Sequence, residues 1–229
     1  MLIIINLMVL IFSIITHELS HGYAALLCGD DTAKRAGRLT LNPIKHMELM
    51  GSFILPLSLL LIHAPFLFGW AKPVPINLQR MNNPKKDIFV VSIAGPLSNF
   101  ILIVLGMLGL VVISKLLGGQ DFHVYLHQSE LVRWNLISSH NSMWIFFALE
   151  AALQLVVVNA ILAVFNLIPI PPLDGSRLLI PFLNEAQEQA FYKVEKFGIL
   201  IIFLLMYFNF FNPIFDFVLR IISKIIFLI

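Results

Sequence analysis

Residues 2–27 read LIIINLMVLIFSIITHELSHGYAALL. The run is long enough to cross a bilayer, which takes roughly 20 apolar residues, yet it holds His17, Glu18 and His21. It has no basic leading region and is too long for a cleavable signal, so it is expected to stay in the mature protein. An ionisable side chain at mid-bilayer costs about 3 kcal/mol or more. Three together therefore point to a site rather than to packing. On a helix, His17 and His21 project from one face about one turn apart and can chelate a single ion. Glu18, next to the first ligand but not itself a ligand, can reach a metal-bound water and accept its proton.

The rest of the chain agrees with a membrane setting. Of 229 residues, 59% are hydrophobic and 12% charged, against roughly a quarter charged in soluble domains. The net charge of +2 contains no basic block of the kind that binds nucleic acid, so nucleic acid is excluded as a partner. The single cysteine, Cys28, allows no internal disulfide and no cysteine-based zinc site. Beyond the first run, apolar stretches cover 51–70, 88–117, 143–168, 190–208 and 213–229. The fold class expected is an all-α polytopic membrane protein with about five or six transmembrane segments. A single domain, 1–229, is expected, with a metal-site core over 1–175 and accessory helices over 190–229.

Stretch 51–70 contains Pro56, His63 and Pro65, so a re-entrant or broken hairpin competes with a straight helix. Gly37-Arg38-Leu39-Thr40-Leu41-Asn42-Pro43 alternates polar and apolar residues and stops at a proline. It is expected to form a short membrane-associated β-hairpin strand. Lys34, Arg35, Arg38 and Lys45 lie in one loop, and Lys72, Arg80, Lys85 and Lys86 in the next, whereas residues 118–142 carry only Arg133. The first two loops therefore belong in the cytoplasm and the third outside. Stretch 51–70 must then dip in and return. His123, His127 and His140 fall in the outer loop and read as solvated.

A catalytic zinc site takes three protein ligands and an open position. Ala24 and Leu27 stand where the metzincin continuation would need Gly and His. Glu48 is the downstream candidate of the soluble-zincin kind. Glu150 sits near the outer end of its helix, too far away on this topology. Asp174 is better placed: it ends Asn166-Leu167-Ile168-Pro169-Ile170-Pro171-Pro172-Leu173-Asp174-Gly175, where prolines stop an apolar helix. That helix runs inward if 51–70 does not cross, and so brings Asp174 to the side where His17 and His21 lie within ~15 Å of their helix end.

These two motifs, with Ala94-Gly95-Pro96-Leu97-Ser98-Asn99 and Gly69-Trp70-Ala71-Lys72-Pro73-Val74-Pro75, resemble the site-2 protease family of intramembrane zinc metalloproteases. They also resemble its compact prokaryotic branch without a PDZ domain. The resemblance implies one Zn2+ per chain on His17, His21 and Asp174, with Glu18 activating water and Asn166 holding substrate or the transition state. It implies an endopeptidase cutting within or beside a transmembrane segment of another protein, from a prokaryotic plasma membrane with the site toward the cytoplasm. His46-Met47 is followed by Glu48-Leu49 where the branch has Asp-Pro. Asn99 reads as an interhelical hydrogen-bond partner and Gly95 as room beside the metal helix. The rival class is a membrane metal transporter or a non-catalytic metal-binding scaffold. Only a protease needs a carboxylate beside, but not among, the ligands.

Overall fold

The computed structural model describes residues 2–63, 69–117 and 143–228. The outer-loop histidines, His123, His127 and His140, and Pro65 lie outside these residues. All described regular structure is helical: α1 (Leu2–Leu27), α2 (Thr32–Arg35), α3 (Leu55–Leu61), α4 (Pro84–Leu117), α5 (Met143–Leu167), α6 (Asp174–Arg177), α7 (Glu185–Glu195), α8 (Gly198–Tyr207) and α9 (Asn212–Ile226). Among the described residues, α1, α4 and α5 are long and apolar enough to cross a membrane. Among the same residues, α8 and α9, bent by 74° at a short break, make a fourth span if they count as one.

Fewer helices reach spanning length than the five or six passes expected from composition. Apolar content alone does not keep a helix straight. The 190–208 run is divided between the polar surface helix α7 and α8, which has only 10 residues, or ~15 Å of helix. Asn209, at φ 57°, then ends α8: its N–H bonds the Met206 carbonyl and the Phe210 N–H bonds the Leu205 carbonyl. This is the paired closure of a helix whose terminal residue is left-handed. The 51–70 run holds a π-helical turn, Met50–Ile54, leading into the short α3. Its ends meet, because the Trp70 N–H donates to the Gly51 carbonyl at 3.1 Å and the Lys72 N–H to the His46 carbonyl at 2.8 Å.

No strand forms at 37–43, or anywhere among the described residues. Gly37, at φ 62°, caps α2 instead, with its N–H on Lys34 O and the Arg38 N–H on Ala33 O. Asn42 caps the 3-10 turn Pro43–His46, its side chain accepting the Ile44 N–H at 3.0 Å. The segment that alternates like a strand is thus bounded by the caps of two short helical turns, Gly37 after one and Asn42 before the other.

Two compact units make up the chain, one from 1–13, 100–161 and 214–229, the other from 14–99 and 162–213. The first is cored by Leu110, Ile113, Phe146, Leu149, Val156 and Ile222. There α4 approaches α5 closely at Gly106, where a Cβ would sit 2.7 Å from Val156. The second packs Ala24 and Ala25 of α1 against Met81 and Val91. Along α1 and the middle of α4 exposed side chains such as Leu7, Met8, Val104 and Leu108 are apolar, whereas Ser13, His17, His21, Ser92 and Asn99 are buried. That inversion of the soluble pattern is what a lipid surround selects.

Candidate metal centre

The second unit contains every residue of the site. His17 Nε2 lies 3.1 Å from Asp174 Oδ2, His21 Nε2 3.1 Å from the same oxygen, and the two Nε2 atoms are 3.0 Å apart. No other cluster of three or more potential metal ligands occurs among the described residues. His17 and His21 are 7% and 6% exposed.

The partners of the other ring nitrogens fix the tautomer of each neutral ring. His17 Nδ1 faces Asn99 Oδ1 at 2.6 Å, and His21 Nδ1 faces the Val91 carbonyl at 2.7 Å. An amide oxygen and a peptide carbonyl only accept, so each ring donates from Nδ1 and, as a neutral imidazole, turns a lone pair inward on Nε2. In that form three lone-pair atoms converge on one point. Such a group repels itself unless a cation lies among them. The 3.0–3.1 Å edges are close to the ~3.3 Å separation of ligands on a tetrahedral zinc with ~2.0 Å bonds. The donor set therefore fits zinc.

Local sequence explains the convergence. A Cβ at Gly95 would lie 2.3 Å from His21 Nε2 and 2.6 Å from His17 Cε1, so only glycine leaves room for both rings against α4. Pro96, inside α4, removes one backbone donor and loosens the helical bonding around it; five residues earlier Val91 offers its carbonyl to His21. After α5 the chain folds back at Ile168–Leu173, through a cis Pro171-Pro172 bond. The Asp174-Gly175 turn then packs on the frayed end of α5, where a Cβ on Gly175 would be 2.2 Å from Leu167 O. Two residues later, Arg177 places both Nε and Nη2 on Glu195 Oε1, at 3.0 and 2.7 Å, tying α6 to α7.

Glu18, half-buried, accepts the Val74 N–H on Oε2 at 2.9 Å. Asn166 is half-buried and donates to the Leu162 carbonyl one turn back in α5, at 3.0 Å. Glu48 is drawn away from the histidines and accepts the Trp70 indole N–H instead. Asn99 emerges as the oriented partner of a ligand ring. The Val74 amide and Val91 carbonyl are backbone groups, which no side-chain pattern reveals. Replacing Asn99 with Ala is expected to weaken zinc affinity by about 10- to 100-fold, the usual effect of losing an outer-shell partner. A chelator-competition titration checks this, and an unchanged affinity would remove Asn99 from the site.

A helical membrane chain in which a His-Glu-x-x-His helix meets an aspartate from a second helix defines a metal-dependent protease. Comparison with known proteins gives the family. The sequence model of peptidase family M50 matches residues 5–208. YwhC of Bacillus subtilis, named as a zinc metalloprotease, is 35% identical over 198 residues, which is 86% of this chain and 77% of that protein. Rip2 of Mycolicibacterium smegmatis and Rip2 of Mycobacterium tuberculosis, both named likewise, are 31% and 29% identical over 196 residues each. The chain covers 64% and 63% of their lengths, less than two thirds. No solved structure matches the chain significantly. The chain belongs to peptidase family M50, the site-2 protease family, and is a zinc metalloprotease.

Proposed function

We propose that this chain is one intramembrane protease domain, with a single zinc on His17, His21 and Asp174. It hydrolyses a peptide bond within or next to a transmembrane segment of a membrane protein substrate. The observation that carries this reading is the convergence of the Asp174 carboxylate on two histidines of α1, an apolar helix of spanning length.

Bound zinc supplies Lewis acidity, polarising the scissile carbonyl and acidifying water. Glu18 takes the proton from the attacking water and passes it to the leaving amine. The Val74 N–H holds one oxygen of that carboxylate and leaves the other to work. Asn166 keeps one amide hydrogen on Leu162 O; its second is the one assigned to the substrate backbone. A helical substrate hides its carbonyls and must present an extended stretch. Residues 37–43 form no strand and so offer that stretch no edge to pair with.

Bonds from Trp70 to Gly51 and from Lys72 to His46 support a 51–70 segment that enters and leaves on one side. With the basic loops flanking it, that side is the cytoplasmic one, in a bacterial plasma membrane as the sources of the relatives suggest. A transport or scaffold site gives no reason for Glu18 to be fixed beside the ligands without joining them.

Co-expression with a panel of single-span membrane proteins tests the reading. At least one is expected to be cut, with cleavage stopped by a membrane-permeant zinc chelator and restored by added zinc. Cleavage that is indifferent to the chelator would overturn it.

A further inference from the structure

Arg38 is only 6% exposed. Its Nη2 donates to the Lys72 carbonyl at 2.7 Å, and its buried Nε has no partner. No carboxylate pairs with it among the described residues. A buried guanidinium held by one carbonyl is a poor stabiliser, because removing such a charge in favour of a well-packed apolar side chain is often neutral or favourable. Stability therefore does not account for it.

What Arg38 holds does account for it. The Lys72 N–H is fixed by the His46 carbonyl, at 2.8 Å. Two residues on, the Val74 N–H donates to Glu18 Oε2 at 2.9 Å. Three residues further, the Asn77 N–H is fixed by the buried Asp30 carboxylate at 2.6 Å. Pro73 and Pro75 flank Val74, and their locked φ angles make the segment stiff. Displacing the Lys72 carbonyl must then shift the Val74 amide. The segments carrying Arg38 and Val74 also seat together on α1 one turn past Glu18: a Cβ on Gly22 would lie 2.6 Å from Leu39 and 3.0 Å from Val74.

We propose that Arg38 is a positioning residue for the reaction: by gripping the Lys72 carbonyl it fixes the stiff 72–75 segment, whose Val74 amide orients the Glu18 carboxylate. The proposal rests on Glu18 being the general base, as proposed above. Arg38 bonds the Lys72 carbonyl rather than a metal ligand; it acts through the 72–75 segment.

The test uses the purified full chain with a single-span substrate that the wild type cuts, comparing Arg38→Met, Arg38→Lys, Val74→Pro, the Arg38→Met/Val74→Pro double variant and Glu18→Gln. Arg38→Met is expected to lower kcat by about 10- to 100-fold, the scale of misplacing a catalytic group by ~1 Å. KM should stay within about twofold, since ground-state binding is untouched, with zinc content and melting temperature close to wild type. Arg38→Lys should recover much of kcat, because an ammonium can reach the same carbonyl. Val74→Pro removes the amide donor itself and should lower kcat at least as far, and the double variant should be no slower than Val74→Pro alone, as expected for residues on one path. Wild-type kcat in Arg38→Met or in Val74→Pro, or additive losses in the double variant, would overturn the proposal. If Arg38→Met fails to fold, Arg38→Gln takes its place with the same expected loss, and wild-type kcat in it would overturn the proposal. A Glu18→Gln form that cleaves normally withdraws the base assignment itself, whereas an inactive Glu18→Gln beside fully active Arg38 and Val74 variants removes only this inference.

Discussion

Glu18→Gln is expected to keep a full complement of zinc and lose about 10³-fold in turnover, within the range for removing a general base. The glutamine has the same length, and its amide oxygen can still accept the Val74 N–H that Glu18 accepts at 2.9 Å. What it cannot do is take a proton. His17, His21 and Asp174 are untouched, so zinc measured by mass spectrometry should match wild type within error. Zinc loss in this variant would mean that Glu18 is a ligand. Retained turnover would mean that the base lies elsewhere.

Asp174→Ala should have the largest effect on the metal. A protein zinc site is worth roughly 10 kcal/mol. Shared among three ligands, that is about 3 kcal/mol each, or a loss of about 10²-fold or more in affinity. His21→Ala should behave alike, because its Nε2 contributes one corner of the same 3.0–3.1 Å triangle. Glu48→Ala is the matched control: its carboxylate is engaged by the Trp70 indole, so zinc should persist. Full zinc in Asp174→Ala with loss in Glu48→Ala would reverse the ligand assignment.

Much of the centre was legible in the sequence because its chemistry resides in side chains at fixed spacing. His17 and His21, four residues apart on an apolar helix, can only face one way, and a proline-broken helix end is one of the few places where Asp174 could lie at membrane depth. Gly95 and Asn99 were legible in kind, as close approach and interhelical bonding, but not in detail. That Asn99 meets His17, and that a Cβ at Gly95 would collide with both rings, depends on how α4 is rotated against α1. Misread features were those in which a local cap overrode a pattern. Arg38-Leu39-Thr40-Leu41 alternates like a strand, but Gly37 and Asn42 on either side close helical turns. The 190–208 and 213–229 runs are apolar enough to span, yet a left-handed Asn209 bends the pair by 74°. Hydropathy does not register a single φ angle. The grip of Arg38 on Lys72 was invisible for a related reason: its acceptor is a backbone carbonyl 34 positions away, and in the sequence Arg38 registers only as one more basic residue in a cytoplasmic loop.

The most direct test of the central claim is the position of the scissile bond, read by mass spectrometry of the fragments released from a cleaved single-span substrate. Two of the three proposed ligands, His17 and His21, lie on α1, an apolar helix of spanning length, and with the proposed function the reaction then takes place at membrane depth. The cut is therefore expected within the substrate's hydrophobic segment or a few residues from its edge, and to be absent with Glu18→Gln. A cut in a soluble region far from the membrane, or one that persists in Glu18→Gln, would contradict the account.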